Sequence, residues 1–405
     1  MSPYITRTLE PVLLGAAQQF PALVLTGPRQ AGKTTLLRHL FGKRYQYVSL
    51  ELPDVQAAAR SDPRGFLEMY SAPAIFDEIQ FVPELLPYIK ERVDADRNRP
   101  GQYILTGSQN ILLSEKAGET LAGRAAILRL LPLSCREIAR VPFAPLPWQA
   151  GERLSMENVA FKDRWERFLR GGYPELNAHP EIDIALWHAS YIQTYLERDV
   201  RTLRQVGDLS QFQVFLRALA ARNGQLLNLS DVARDLGLSV NTIKAWLSIL
   251  EATYQVIVLR PYFTNRGKRL VKTPKVYFAD VGILCHLTGL KDAEHAQAGP
   301  MGGPIMEAAV VNEVVRTITH QGHQPQVYFW RTTDGYEVDL LVDTGAKLIP
   351  IEVKLSATPT KAMAKGVCLF RELFGDKAGQ GYVIHPGDVR LPLLPGVRAL
   401  PFSEL

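Results

Sequence analysis

Gly27-Pro28-Arg29-Gln30-Ala31-Gly32-Lys33-Thr34 has the G-x-x-x-x-G-K-[ST] spacing of a phosphate-binding loop. Two glycines at that spacing let the backbone turn so that its N–H groups converge on phosphate oxygens. Lys33 brings a mobile positive charge to the terminal phosphates, and the Thr34 hydroxyl can ligate Mg2+. The loop, extended by Thr35, is therefore the expected seat of a nucleoside triphosphate.

A second set of residues fits the first. Ala74-Ile75-Phe76-Asp77-Glu78 reads as an apolar strand ending in two acids. Asp77 would complete the Mg2+ shell, and Glu78 would orient and deprotonate an attacking water. The next apolar run, Tyr103-Ile104-Leu105-Thr106, leads into Gly107-Ser108-Gln109. Ser108 is the first choice for a side chain that senses the γ-phosphate; the alternative is a plain Ser/Gly turn. Arg124, in Leu121-Ala122-Gly123-Arg124, is either an arginine finger reaching across a subunit boundary or a structural arginine bound to backbone carbonyls. The first role requires a neighbouring copy, hence the expectation of a homo-oligomer.

A third set lies near the other end. Residues 336–354 read as a hairpin turning at Gly345-Ala346, where a glycine in the first loop position suits a type II′ turn. That register sets Val338, Leu340 and Val342 against Val353, Ile351 and Ile349 on one apolar face. On the other face Asp339 falls opposite Glu352, and Glu337 opposite Lys354. Two opposed carboxylates destabilise a sheet unless something positive lies between them. A divalent cation would serve, Mg2+ or Mn2+, with Lys354 placed to position or activate a water. Glu307, on a helix expected over residues 305–319, is a candidate further ligand. The plainer reading is a polar hairpin face with an ordinary cross-strand salt bridge.

These residues need a scaffold that holds them. Strands at 22–25, 47–50, 74–76, 103–106 and 127–131 alternate with helical or loop segments, the pattern of a parallel sheet in an α/β core. A helix over 8–20 precedes it. Proline-rich residues 141–147 and glycine-rich residues 298–304 read as linkers, and residues 156–222 are helical in pattern with a break at Gly171-Gly172-Tyr173-Pro174. Four segments result: an ATPase-type core at 1–145, a helical region at 146–222, a winged helix-turn-helix at 223–295 and a nuclease-like domain at 296–405.

The winged helix rests on residues 230–247. Ser230 caps one helix, Gly237 makes the turn, and Ser239 or Asn241 caps a second helix whose Asn241, Thr242 and Lys244 could face a groove. Arg260, Arg266, Lys268, Arg269, Lys272 and Lys275 follow without an acid, with Tyr262 and Phe263 among them. Such a run is either a solvated face or, on a wing, a DNA contact; the helical module is either a DNA reader or a packing unit.

Bulk properties set limits. The 405 residues are 46% hydrophobic and 21% charged, which excludes a disordered chain, and the net charge of +5 identifies no partner by itself. No apolar run is long enough to cross a membrane, and no signal-peptide pattern opens the sequence. Cys135, Cys285 and Cys368 are too far apart to suggest a metal or disulfide framework, so a reducing cytoplasm is the expected location.

Together these motifs resemble a prokaryotic family of AAA+ ATPases that join an AAA-type core to a C-terminal domain of unknown function, containing a winged helix and a restriction-endonuclease-like fold. The resemblance spans nearly the whole chain and rests on the phosphate loop, Ile75-Phe76-Asp77-Glu78-Ile79-Gln80, Leu121-Ala122-Gly123-Arg124, Gly171-Gly172-Tyr173-Pro174 and Ile351-Glu352-Val353-Lys354. It implies an α/β fold with an AAA+ P-loop core, ATP rather than GTP, and hydrolysis at Lys33, Asp77 and Glu78. It maps the PD-(D/E)xK nuclease pattern onto Asp339, Glu352 and Lys354, with Val338 in place of the usual proline. The leading expectation is an ATP-dependent protein acting on DNA. A nucleotide-switched scaffold with an inactive nuclease-like domain is the alternative, and a small-molecule phosphoryl transferase is disfavoured by Glu78.

Overall fold

The computed structural model describes residues 4–108, 121–149, 161–195, 208–262 and 273–405. Its first layer is a parallel five-stranded sheet in the order β2-β3-β4-β1-β5, formed by β1 (Ala22–Thr26), β2 (Gln46–Ser49), β3 (Ala74–Asp77), β4 (Tyr103–Gly107) and β5 (Ala125–Arg129). Interior strand β1, between β4 and β5, is buried on both faces, which is why it reads as an unbroken apolar run rather than an alternating one. Leu23 and Leu25 pack against one helical layer with Leu9, Leu13, Leu36 and Leu37. Val24 joins Phe66, Phe76 and Ile89 on the other side. The phosphate loop lies at the end of β1, and the helix Lys33–Phe41 follows it directly.

The remainder is organised around a mixed eight-stranded sheet in the order β12-β13-β11-β10-β9-β8-β6-β7. Its strands are β6 (Val256–Pro261), β7 (Lys275–Phe278), β8 (Val327–Arg331), β9 (Glu337–Asp343), β10 (Leu348–Val353), β11 (Gly381–His385), β12 (Leu391–Leu394) and β13 (Val397–Pro401). The β9–β10 pairing sets Leu340 against Ile351 and Val342 against Ile349, the register read from the sequence. The antiparallel β6–β7 hairpin is joined to this sheet, because Arg260 and Pro261 pair in parallel with Tyr328 and Phe329. The strands expected to form a wing are thus the edge of the C-terminal sheet.

Two expected linkers are packed structure instead. In residues 141–147 the Ala144 and Pro145 carbonyls accept from Arg136, Pro142 accepts from Thr8, and Leu146 is fully buried. Proline keeps its carbonyl acceptor while lacking a donor, so such a run can serve buried cations as well as form a spacer. Within residues 298–304, Gly302 opens a helix that runs to His320. A side chain at Gly302 would sit 2.4 Å from the Gln297 carbonyl, so the glycine there permits close approach.

That long helix, Gly302–His320, is buried along most of its length although it carries charge. Glu313 lies 2.8 Å from Arg136 and accepts from the Cys135 amide at 2.6 Å. Arg316 lies 3.0 Å from Asp280 and donates to the Leu133 and Ala279 carbonyls. His320 is fully buried, accepting from the Leu131 amide and lying 3.2 Å from Glu137. Removing one partner leaves a buried charge uncompensated, which costs roughly 3–5 kcal/mol. Glu313→Ala should lower the unfolding free energy by about that amount in chemical denaturation; a loss below about 1 kcal/mol would mean that Arg136 is satisfied by its carbonyl partners alone.

Candidate functional site

The phosphate loop is built on glycine at two points. Gly27 has φ +149°, and a Cβ there would fall 2.0 Å from the Leu130 carbonyl oxygen. Gly32, with φ +91°, caps the Lys33–Phe41 helix in a left-handed conformation and faces Pro174, whose ring lies 3.5 Å from where its Cβ would be. Lys33 is buried and donates to the Gly27 and Pro28 carbonyls at 2.9 Å each. Those bonds hold the ammonium inside the loop.

Asp77 ends β3 beside it. The Thr34 hydroxyl donates to its Oδ2 at 2.7 Å, the Tyr47 hydroxyl donates to the same oxygen at 2.5 Å, and Thr106 donates to Oδ1. Thr34 and Asp77 thus converge as a Mg2+ shell requires, and they are the residues that would hold the ion. Tyr47 was not foreseen. It reaches Asp77 because β2 and β3 are neighbours in register, a fact of sheet order that local spacing does not carry.

Glu78 takes φ +60°, a left-handed conformation unfavourable for a residue with a Cβ. The turn presents its carboxylate to Gln80, which donates to it and also reaches the Ser108 hydroxyl at 3.3 Å. Gln80 therefore joins the expected base to the expected sensor. The neighbouring residue Gln109 lies outside the described residues.

The opposite wall comes from beyond the sheet. A cleft of about 570 Å³ is lined by Arg29, Gln30, Gly32, Lys33, Thr34 and Glu78 on one side, with Pro174, Tyr191 and Tyr195 opposite. Arg7 fastens the loop from beneath, donating to the Ala31 and Leu131 carbonyls at 2.8 and 2.6 Å and lying 3.1 Å from Glu137. Burial alone would raise the Glu137 carboxyl, but Arg7 and His320 beside it hold it well below the ordinary carboxylate range.

Arg124 is elsewhere. It precedes β5 at the edge where β1 begins, about 13 Å of strand away from the loop. There it pairs with Asp94 through Nε at 2.5 Å and Nη2 at 3.1 Å, and donates to the Ala122 carbonyl. It does not reach the loop of its own chain.

The helix-turn-helix consists of Leu229–Leu236 and Val240–Ala252, separated by Gly237 at φ +65°. Asn228, not Ser230, caps the first helix by accepting from the Ser230 amide; Ser239 caps the second. Asn241 and Lys244 are exposed on the second helix. Of the basic run, Arg266, Lys268, Arg269 and Lys272 lie outside the described residues, as does Phe263. Tyr262 packs edge-on against Tyr328.

The third residue set comes together in space. Asp339 and Glu352 flank the end of the β9–β10 ladder, and Asp339 Oδ2 accepts from the Val353 amide at 2.8 Å. Lys354 lies 2.5 Å from Glu352, not against Glu337 as the hairpin register alone indicated. Glu337 lies 3.1 Å from Arg331 and 2.6 Å from Lys275. Glu307, on the long helix, lies 2.8 Å from the same Lys275 ammonium and accepts from Tyr277. Burial first, and then the charge of Asp339, push the Glu352 carboxyl up to about 8 and the Glu307 carboxyl up to about 7. Lys275 closes the basic run for which a solvated face or a DNA contact is expected; it is instead buried in the acidic centre.

Comparison with known proteins matches three stretches of the chain. Residues 19–139 match an AAA domain, residues 161–294 a domain of unknown function (DUF8612), and residues 302–405 another (DUF4143). Uncharacterized protein Rv2008c of Mycobacterium tuberculosis is 31% identical over 395 residues, covering 96% of this chain and 82% of its own length. This chain belongs to that family of AAA-domain ATPases. An uncharacterized protein of Haemophilus influenzae is 23% identical over 355 residues, covering 82% of this chain and 81% of its own. The Walker-type ATPase PABY2304 of Pyrococcus abyssi has a TM-score of 0.47 at 15% identity, with 70% of this chain and 96% of that one covered. No described helix of this AAA-domain protein is long and apolar enough to cross a membrane.

Two substitutions separate binding from hydrolysis at the loop. Lys33→Ala should abolish ATP turnover. Glu78→Gln should retain ATP binding while slowing hydrolysis by about a hundredfold or more. Phosphate release and labelled-ATP retention measure the two, and turnover at the wild-type rate in Glu78→Gln would remove Glu78 from the role of base.

Proposed function

We propose that this protein is an ATP-hydrolysing switch whose nucleotide state sets the position of a DNA-facing helix. Lys33 and the loop amides from Gly27 to Thr35 hold the phosphates, Thr34 and Asp77 hold Mg2+, and Glu78 activates water while Gln80 and Ser108 sense the γ-phosphate. When bound, Mg2+ neutralises charge developing on the phosphates. Arg124 is assigned to the nucleotide of a neighbouring copy in a homo-oligomer, where its position far from its own loop is consistent with action in trans.

One observation carries the switch. Three consecutive residues directly after the helix Val240–Ala252 all bond to the nucleotide site. The Thr253 hydroxyl is 2.8 Å from the Tyr195 hydroxyl, and the Gln255 amide donates to the Tyr191 hydroxyl at 3.2 Å; both tyrosines line the nucleotide cleft. Between them Tyr254, in a left-handed conformation at φ +61°, places its hydroxyl 2.9 Å from that of Thr26, the last residue before Gly27. A change at the loop or in the cleft wall is thereby passed to the end of the helix that exposes Asn241 and Lys244. Those two side chains suit contact with base edges and phosphates.

The C-terminal domain is assigned to gripping rather than cutting. Cleavage at Asp339, Glu352 and Lys354, with Glu307, needs a divalent metal among the acids, and the Lys275 ammonium lies between Glu307 and Glu337. That placement favours the scaffold reading.

Fluorescence anisotropy of labelled duplex DNA tests the switch. In the Glu78→Gln background, affinity with ATP and with ADP should differ by about fivefold or more, and adding Tyr254→Phe and Gln255→Ala should bring the two within about twofold. Equal affinities before those changes are introduced, or no DNA binding in either state, would overturn the proposal.

A further inference from the structure

Lys275 is the first residue of β7 and is 4% exposed. Its ammonium lies 2.8 Å from Glu307 Oε1, 2.6 Å from Glu337 Oε1 and 3.8 Å from Asp339 Oδ1. The three acids come from two separate elements, the long helix and β9. An ammonium has three donors and no acceptor, so carboxylates on several sides suit it. The lysine cannot swing out freely. Its backbone pairs with Leu259 on β6 and bridges to Leu226, and its ammonium lies 5.6 Å from the centre of the Phe329 ring.

A metal-dependent nuclease centre built on Asp339 and Glu352, with Glu307 as a further ligand, would draw Mg2+ or Mn2+ to these oxygens at about 2.0–2.1 Å, and the Lys275 ammonium lies at two of those three acids, Glu307 and Asp339. The residues present do not fit that group, because a fixed positive charge already sits against Glu307 and Asp339, two of the candidate ligands. Among the described residues, no group of three or more acids, histidines or cysteines is arranged to hold a metal ion.

We propose that Lys275 is the resident cation of this acidic centre, so that the chain takes no divalent metal there, and that the centre clamps the β6–β7 edge to the long helix and to β9. The clamp joins the segment that carries the helix-turn-helix to the C-terminal sheet, and it works without nucleotide. Removing the ammonium leaves Glu307, Glu337 and Asp339 uncompensated; they are not arranged to hold a metal ion as they stand, but drawing together around a hard cation in the vacated space would relieve their repulsion. A cation site is then expected to form where the lysine was.

The test is a Mn2+ titration of the full chain without nucleotide, followed by electron paramagnetic resonance. Wild type and Asp339→Asn should bind Mn2+ alike, and Lys275→Met should gain a site at least about tenfold tighter than any in wild type. Asp339→Asn placed on Lys275→Met should abolish the gain. Mn2+ should also raise the melting temperature of Lys275→Met and leave that of wild type unchanged. A wild-type Mn2+ site lost in Asp339→Asn overturns the proposal, as does a folded Lys275→Met with no added site. If Lys275→Met does not fold, the comparison of wild type with Asp339→Asn decides by itself.

Discussion

A helix buried along most of its length can carry Glu313, Arg316 and His320 only if each finds a partner, and in this chain the partners come from two other segments. Arg136 comes from the segment just after the five-stranded sheet, Asp280 from the turn after β7, and Glu137 ties His320 to Arg7 beneath the phosphate loop. Desolvating any of these charges alone would cost several kcal/mol. The helix therefore cannot settle until the segments around it have docked, and their docking is as specific as the pairings. Glu307, one end of the acidic centre, is on the same rod. The ATPase core and the C-terminal sheet are held in one frame by these charges, where apolar contact alone would allow sliding.

That frame gives meaning to the bonds made by Thr253, Tyr254 and Gln255. Were the helix-turn-helix on a flexible tether, a hydrogen bond from Tyr254 to Thr26 would only restrain it. With the following hairpin fused into the eight-stranded sheet through Arg260 and Pro261, the Tyr254–Thr26 bond ties the end of β1 to a helix that is itself anchored. The left-handed conformation of Tyr254 is costly for a residue with a Cβ. Paired with Thr26, it fits a device in which bonding to the loop strand offsets local strain.

How much of this was legible in the sequence follows from how local each signal is. The phosphate loop, the acidic end of β3 and the β9–β10 register were readable because each is specified within a few residues by spacing or alternation. Tyr47 on Asp77, Gln80 between Glu78 and Ser108, and Arg7 under the loop were not. Tyr47 and Arg7 depend on which elements become neighbours, and the role of Gln80 depends on the left-handed turn at Glu78. Proline and glycine misled at 141–147 and 298–304 for a related reason. Composition reports freedom from regular pairing, while the carbonyls of Ala144 and Pro145 are drawn inward by an arginine whose burial is decided far along the chain.

The acidic centre is the sharpest case. Asp339 opposite Glu352 demanded a positive charge, and that demand could be read from a hairpin register and Coulomb's law. The charge need not be a metal. Lys275, delivered by the edge strand β7, lies 3.8 Å from Asp339, and Lys354 lies 2.5 Å from Glu352; Lys275 also adds a tertiary contact that a free ion would not supply. Lys275 closes a run of cations in sequence, which disguised it as one more solvated charge. Yet alternation along β7 sets Lys275 and Tyr277 on one side of the strand, and both bond to Glu307. A basic residue at the start of a short apolar strand, followed two positions later by a tyrosine, is a signal for an inward-facing cation that charge counting over the run hides.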